Sequence, residues 1–273
     1  MACYFPLSGW LSSSKNPSGK RSVVFSLNSG LADKPVEVPC GKCSGCRADQ
    51  ALMWSIRAYH ESTLHLRNCF LTLTYDDDHL PADGKIIKKH LQDFFRSCRD
   101  RGYKLRYIAC GEYGEQTRRP HYHAIIFGQD FQFDRQDVDE SLYTSPTLSS
   151  IWDKGLISIA PVTMSSICYV CGYVNKKIGD EDTFSLSSRR PGIGHNWLKL
   201  YHDDLVRTGK VTIEGREYPV PPRYLEWLPE EFEALKAERK RIATSKPGII
   251  RREQARGKQK NREANLKRKR EKL

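Results

Sequence analysis

Between residues 70 and 75 the chain reads Phe70-Leu71-Thr72-Leu73-Thr74-Tyr75, alternating apolar and β-branched positions over one strand's length. Asp76-Asp77-Asp78, Pro81 and Gly84 then end it. From Lys88 to Arg101 the period changes, and Leu91, Phe94, Phe95 and Cys98 fall on one helical face that Gly102 closes. Leu105 to Cys110, His121 to Phe127 and Leu156 to Val162 return to short β-type runs, with a short helix near Leu148 to Trp152. Ser165 to Ile178 reads as a further helix, as does Ala48 to Leu66 through Leu52, Ile56 and Tyr59. Beyond residue 180, Trp197 to Val206 and a hairpin over Val211 to Tyr218 precede Pro219, Pro221 and Pro222, and a charged helix starts near Pro229. Strand, helix, strand, strand, helix, strand, helix is the order of an α+β fold, a ferredoxin-like antiparallel sheet with flanking helices. The expected organisation is a Cys-containing segment with a helix over 1–66, a catalytic core over 67–180, an extension with a hairpin over 181–228, and a basic helical or disordered tail over 229–273.

At 38% hydrophobic residues, 273 residues carry enough apolar material for one good core. No stretch approaches the ~20 apolar residues of a membrane span, and the N-terminus lacks the basic-then-apolar pattern of a secretory signal, so the expected location is cytoplasmic. Charge changes the picture more. Residues 236–273 hold 16 Lys and Arg against 4 Glu, which accounts for the whole net charge of +12. Such a tail is expected to bind phosphate backbones without reading sequence, against the plainer reading of a solvated solubility tail.

His121 and His123 stand one residue apart at the start of a strand, so both imidazoles project from one face, about 7 Å apart at Cα. The pair is a half-site for a metal ion, or simply two hydrogen-bonded surface residues. The preceding strand ends in Cys110-Gly111-Glu112-Tyr113-Gly114-Glu115, which would lie beside the histidines in an antiparallel pair. A carboxylate there, Glu112 first and Glu115 second, completes a His, His, Glu set suited to Mg²⁺ or Mn²⁺ where phosphate oxygens fill the remaining positions. On a helix at about 100° per residue, Tyr169, Tyr173 and Lys176 share one face, while Ile167, Val170, Cys171, Val174 and Ile178 share another. With the core supplied by the aliphatic face, the phenols are free for chemistry. A phenol with a pKa near ~10 needs a metal, a base or a cation such as Lys176 to become a nucleophile. Tyr169, nearer the helix start, is expected to meet the phosphate first.

Nine cysteines, an odd number, in a chain without a secretory signal point to metal ligands or core thiols rather than disulfides. Cys40, Cys43 and Cys46 have C-x₂-C-x₂-C spacing and could hold structural Zn²⁺ with Cys3 as fourth ligand, an iron–sulfur site being the open alternative.

The apolar motif at 70–75, the His-hydrophobe-His strand and the Tyr-x-x-x-Tyr-x-x-Lys helix occur in the order of the three motifs of HUH endonucleases, which the chain resembles over residues 70–177. More narrowly it resembles the replication initiators of the Microviridae, gokushovirus-like single-stranded DNA phages, as does its Cys40 to Cys46 segment. The resemblance implies rolling-circle initiation at a single-stranded origin, with His121 and His123 as ligands, Tyr169 and Tyr173 as nucleophiles and Lys176 or Lys177 as the motif lysine. It also implies a 5′-phosphotyrosyl bond and a free 3′-hydroxyl for a DNA polymerase. No G-x-x-x-x-G-K-[ST] loop occurs, so a host helicase is the expected partner, in the host cytoplasm. A plasmid initiator, a relaxase or a transposase of the same class are the nearer alternatives. A histidine-triad nucleotide hydrolase would want a third histidine where Ile125 stands, and a non-catalytic zinc-knuckle nucleic-acid binder would leave the His pair and tyrosines without a role.

Overall fold

The computed structural model describes residues 3–17, 19–114, 117–173, 183–244, 253–254, 256–261 and 264–265. The chain separates into two compact units, residues 1–49 with 238–273, and residues 50–237.

In the first unit β1 (Leu7–Ser12) pairs antiparallel with β2 (Val23–Val24) and β3 (Gly30–Val38), a three-stranded sheet that the sequence pattern did not announce. Its strands are polar and irregular in period: β3 reads Gly30-Leu31-Ala32-Asp33-Lys34-Pro35-Val36-Glu37-Val38 and has no fully buried residue. The loop after β3 leads into α1 (Ser44–Ser62), which begins four residues before the expected Ala48.

The second unit is built on a seven-stranded, wholly antiparallel sheet. In chain order come β4 (Asn68–Thr74), α2 (Lys88–Asp100), β5 (Arg106–Tyr113), β6 (Pro120–Phe127), β7 (Gln136–Asp139), β8 (Leu142–Thr144), α3 (Pro146–Trp152), β9 (Ile157–Ala160), α4 (Met164–Tyr173) and β10 (Phe184–Ser187). The spatial order is β10-β5-β6-β4-β9-β8-β7. At its centre are the four strands expected from the sequence, with β4 between β6 and β9. β10 on one edge, and β8 and β7 on the other, are additions of three or four residues each, too short to show a period.

The pleat explains the layers. Cys69, Leu71 and Leu73 of β4, Ala109 of β5, and Tyr122, Ala124 and Ile126 of β6 point to the face covered by α2 and α3, where Leu91, Phe94, Phe95, Cys98, Leu148 and Trp152 complete the main core. The alternate residues Ile108, Cys110, Ile125 and Phe127 point the other way, against Ile167, Val170 and Cys171 of α4 and Ala58 of α1. A third cluster joins Ile56 to α5 (His195–Thr208), the hairpin β11 (Lys210–Ile213) with β12 (Arg216–Pro219), and α6 (Pro222–Trp227), through Leu198, Leu205, Val211, Ile213, Val220 and Tyr224. The six-residue α6 lies among the prolines that the sequence marked only as a break. α7 (Glu233–Thr244) follows, starting four residues after Pro229, and the described residues of 253–265 are helical. No described helix is long and apolar enough to cross a membrane.

A candidate metal and tyrosine site

The site lies on the α4 side of the sheet. Strand register puts Glu112 opposite His121, Cys110 opposite His123, and Thr72 of β4 opposite His123 from the other side. Period-two alternation then projects Glu112, His121, His123 and Thr72 from one face. Glu112 Oε1 is 3.2 Å from His121 Nε2 and 3.0 Å from His123 Nε2. Their ligand atoms lie within 4.8 Å of one another. Glu112 is 4% exposed and His123 8%. Glu115 lies outside the described residues, so among those described Glu112 is the acid that joins the histidines.

Hydrogen bonds to the outer ring nitrogens orient both imidazoles. His121 Nδ1 is 3.1 Å from the carbonyl of Arg119 and His123 Nδ1 is 3.0 Å from Thr72 Oγ1. Phe70 stacks on His123 with centroids 5.5 Å apart and planes 9° apart. A carbonyl can only accept, so His121 Nδ1 carries a hydrogen. Its Nε2 therefore either carries a second proton or turns a lone pair on a carboxylate, which the cation of a metal would reconcile. Glu112 Oε2 is buried with no hydrogen-bond partner. Two imidazole nitrogens and a carboxylate with a spare oxygen thus fit a divalent ion, and the outer contacts are of the kind that hold metal-binding histidines.

α4 delivers the phenols. Its Ile167, Val170 and Cys171 are buried against β5 and β6, which turns Tyr169 and Tyr173 toward the metal-ligand set. Tyr169 is 42% exposed, and its hydroxyl donates to Glu112 Oε1 at 2.7 Å and lies 3.5 Å from His123 Nε2. The Tyr173 hydroxyl donates to that of Tyr169 at 3.4 Å. Val174, Lys176, Lys177 and Ile178 lie outside the described residues. Tyr169 is five residues into α4, in its second turn, so the helix N-terminus does not account for its position; its bond to Glu112 does.

Electrostatics keep the resting phenols protonated. Burial pushes the Tyr169 hydroxyl far above its ordinary value, and its bonds to Tyr173 and the Glu112 carboxylate add to that. Burial and the Glu112 charge raise Tyr173 to about 12. Burial would raise Glu112 too, but the hydrogen bonds from His121, His123 and Tyr169 outweigh it and hold the carboxyl far below its usual range. Burial opposes charge on His121, yet Glu112 and the Arg119 carbonyl raise it.

The cysteines form a separate cluster in the first unit. The Sγ atoms of Cys3, Cys40, Cys43 and Cys46 lie within 4.8 Å of one another. Thr72, Phe70 and the Arg119 carbonyl were assigned no role from the sequence. The period-two face of the 70–75 motif was the available signal, but it acquires meaning only once the register sets Thr72 opposite His123.

Comparison with known proteins gives this architecture a family. The family model of the phage replication-associated protein ORF2 matches residues 68–178, from β4 to beyond α4. Replication-associated protein ORF2 of Spiroplasma virus 4 is 32% identical over 238 residues, which cover 76% of this chain and 74% of that protein. Replication-associated protein VP4 of Bdellovibrio phage phiMH2K is 35% identical over 211 residues, covering 69% of this chain and 66% of that protein. Replication-associated protein ORF4 of Chlamydia phage 1 is 31% identical over 216 residues, covering 70% and 53% respectively. No solved structure matches. The chain belongs to the family of replication-associated protein ORF2. Within it, the chain is homologous to the replication proteins of these phages of the Microviridae.

Proposed function

We propose that the chain is a metal-dependent single-stranded DNA endonuclease and strand transferase that starts rolling-circle replication. The observation that carries this reading is the meeting of Tyr169, Glu112, His121 and His123 on one face of the sheet, with the Tyr169 hydroxyl 2.7 Å from the carboxylate. The strand order of β5, β6, β4 and β9, with α2 and α3 as crossovers, is that of a ferredoxin-like sheet and supports the HUH reading of the fold.

Glu112, His121 and His123 would hold the ion. When bound, Mg²⁺ or Mn²⁺ supplies Lewis-acid polarisation of a DNA phosphate and cancels the carboxylate charge that keeps Tyr169 protonated. The residues do the rest. Thr72 and the Arg119 carbonyl hold the imidazoles in fixed orientation. α4 anchors the tyrosine backbone through its buried face, while the exposed phenol edge remains open to a DNA strand. The Tyr169 oxygen attacks phosphorus in line, the P–O3′ bond breaks, and the departing 3′-oxygen takes a proton, leaving a 5′-phosphotyrosyl bond and a 3′-hydroxyl for a host polymerase. Tyr173, its hydroxyl 3.4 Å from that of Tyr169, is placed to repeat the step after one circuit. Lys176 is assigned to the same face by helical period, and the basic tail to sequence-independent backbone contact, with a host helicase separating the strands.

Incubating the chain with a random single-stranded oligonucleotide pool and Mn²⁺ tests this reading. A denaturation-resistant protein–DNA adduct that EDTA prevents is the expected result. An adduct formed equally in EDTA, or none with any divalent ion, would overturn it.

A further inference from the structure

The N-terminal sheet lacks what holds small sheets together. Among described residues 3–49, the buried apolar side chains are Tyr4 and Cys46, and none of the three core clusters includes a residue from this segment. Phe5, Leu7, Phe25 and Leu27 are between 45% and 59% exposed. Three short strands with so little burial are below the size that folds on its own core, and such units use a disulfide or a metal instead. The fold supplies the position for one. Leu7 pairs with Val38 at the end of the β1–β3 ladder, so Cys3, four residues before Leu7, meets Cys40, two residues after Val38. Gly41, at φ +73°, turns the chain between Cys40 and Cys43, and Cys46 sits in the first turn of α1.

We propose that Cys3, Cys40, Cys43 and Cys46 bind one zinc ion as a four-thiolate site that closes this sheet. The spacing selects a single ion. Four sulfurs at about 2.3 Å from a central zinc stand roughly 3.8 Å apart. All four lie within 4.8 Å of one another, and Cys40 and Cys46 are 4.0 Å apart, well beyond a disulfide bond. In an iron–sulfur cluster each thiolate binds a different iron and bridging sulfides stand between them, which would spread the sulfurs farther. The backbone is arranged for sulfur anions as well. The amide of Tyr4 donates to Cys43 Sγ at 3.4 Å, Cys40 to Cys3 at 3.2 Å, Cys43 to Cys40 at 3.4 Å and Cys46 to Cys43 at 3.4 Å. Such donors stabilise thiolates after each thiol has released its proton to solvent. Between the ions that favour a tetrahedral S₄ set, zinc outcompetes ferrous iron in the usual order of affinity.

Zinc release from the intact wild-type chain provides the test. The chain is purified with zinc and dialysed against metal-free buffer, then treated with an organomercurial while a colorimetric chelator reads free zinc. The site predicts one zinc freed per four rapidly modified thiols, from wild type and from His121→Ala alike. In cobalt-substituted protein a sulfur-to-cobalt charge-transfer band should appear, persist in His121→Ala, and be lost in Cys43→Ser. Thiols that react without releasing zinc, iron with acid-labile sulfide, or a disulfide among the four would each overturn the proposal. Because His121→Ala removes a ligand of the proposed catalytic ion only, failure here leaves the endonuclease reading standing, and the reverse holds.

Discussion

At the scale of single residues, the site is organised by groups that fix what the ligands can do. Thr72 Oγ1 is the partner of His123 Nδ1, so Thr72→Val should leave the strand intact and free the ring to choose the wrong tautomer. Metal affinity is expected to fall by about 10–100-fold, measured by titrating Mn²⁺ against adduct formation. Unchanged affinity would mean that stacking on Phe70 alone orients His123. A second residue-scale prediction concerns His60, buried beneath Trp197 with ring centroids 3.4 Å apart and its Nδ1 2.9 Å from the Tyr224 hydroxyl. Burial lowers its pKa from 6.5 to about 3. The folded chain therefore keeps it neutral while the unfolded chain protonates below about pH 6.5, so stability should fall with acid by up to about 1.4 kcal/mol per pH unit between roughly pH 6 and pH 3. Chemical denaturation of wild type and His60→Gln across that range should show a shallower slope in the variant; parallel slopes would contradict this assignment.

At the scale of elements, α4 is an adapter: one face is core and the other chemistry. The helical period of the sequence revealed this, because Ile167, Val170 and Cys171 are contiguous on the wheel and the tyrosines lie away from them. Val170→Ala should cost about 2–3 kcal/mol through the cavity it leaves against β5 and β6, and should also disturb the phenols. Thermal unfolding with and without Mn²⁺ measures the first effect and adduct yield the second; a stable variant with normal yield would show that α4 needs no anchoring there. The elements that the sequence did not reveal share a cause. β1, β3, β7 and β10 are short or polar and border no large core, so their residues carry no period. The strands of the main sheet are flanked by Leu71, Leu73, Ala124 and Ile126, whose burial imposes the period directly. The Glu112–His121 register was legible because a tight connection forces β5 and β6 to pair, whereas Thr72 needed the β4–β6 register, which no local signal encodes. Cys3 stands 37 positions from Cys40 in sequence, and only the β1–β3 ladder brings them together.

At the scale of the whole chain, chemistry and charge are separated in sequence. The catalytic candidates stand within residues 72–173, whereas the net positive charge sits beyond residue 235. Removing residues 245–273 takes away 12 Lys and Arg against 3 Glu and leaves α7 in place. The truncated chain should bind single-stranded DNA more weakly at low salt and with a shallower salt dependence, by about 0.7 in logarithmic slope for each phosphate that the tail no longer neutralises. The choice of nick site should not change, since backbone contacts position without specifying sequence. Altered cleavage positions in the truncated chain would assign the tail to recognition.

The central claim is that the phenols on α4 are the nucleophiles, and mapping the DNA–peptide bond tests it most directly. Digestion of the adduct formed with Mn²⁺, followed by mass spectrometry, is expected to find nucleotide on Tyr169 and, in smaller yield, on Tyr173. Tyr169→Phe and Tyr173→Phe should each retain partial adduct formation and the double variant none. Nucleotide attached to any other residue, or an adduct surviving in the double variant, would contradict the claim.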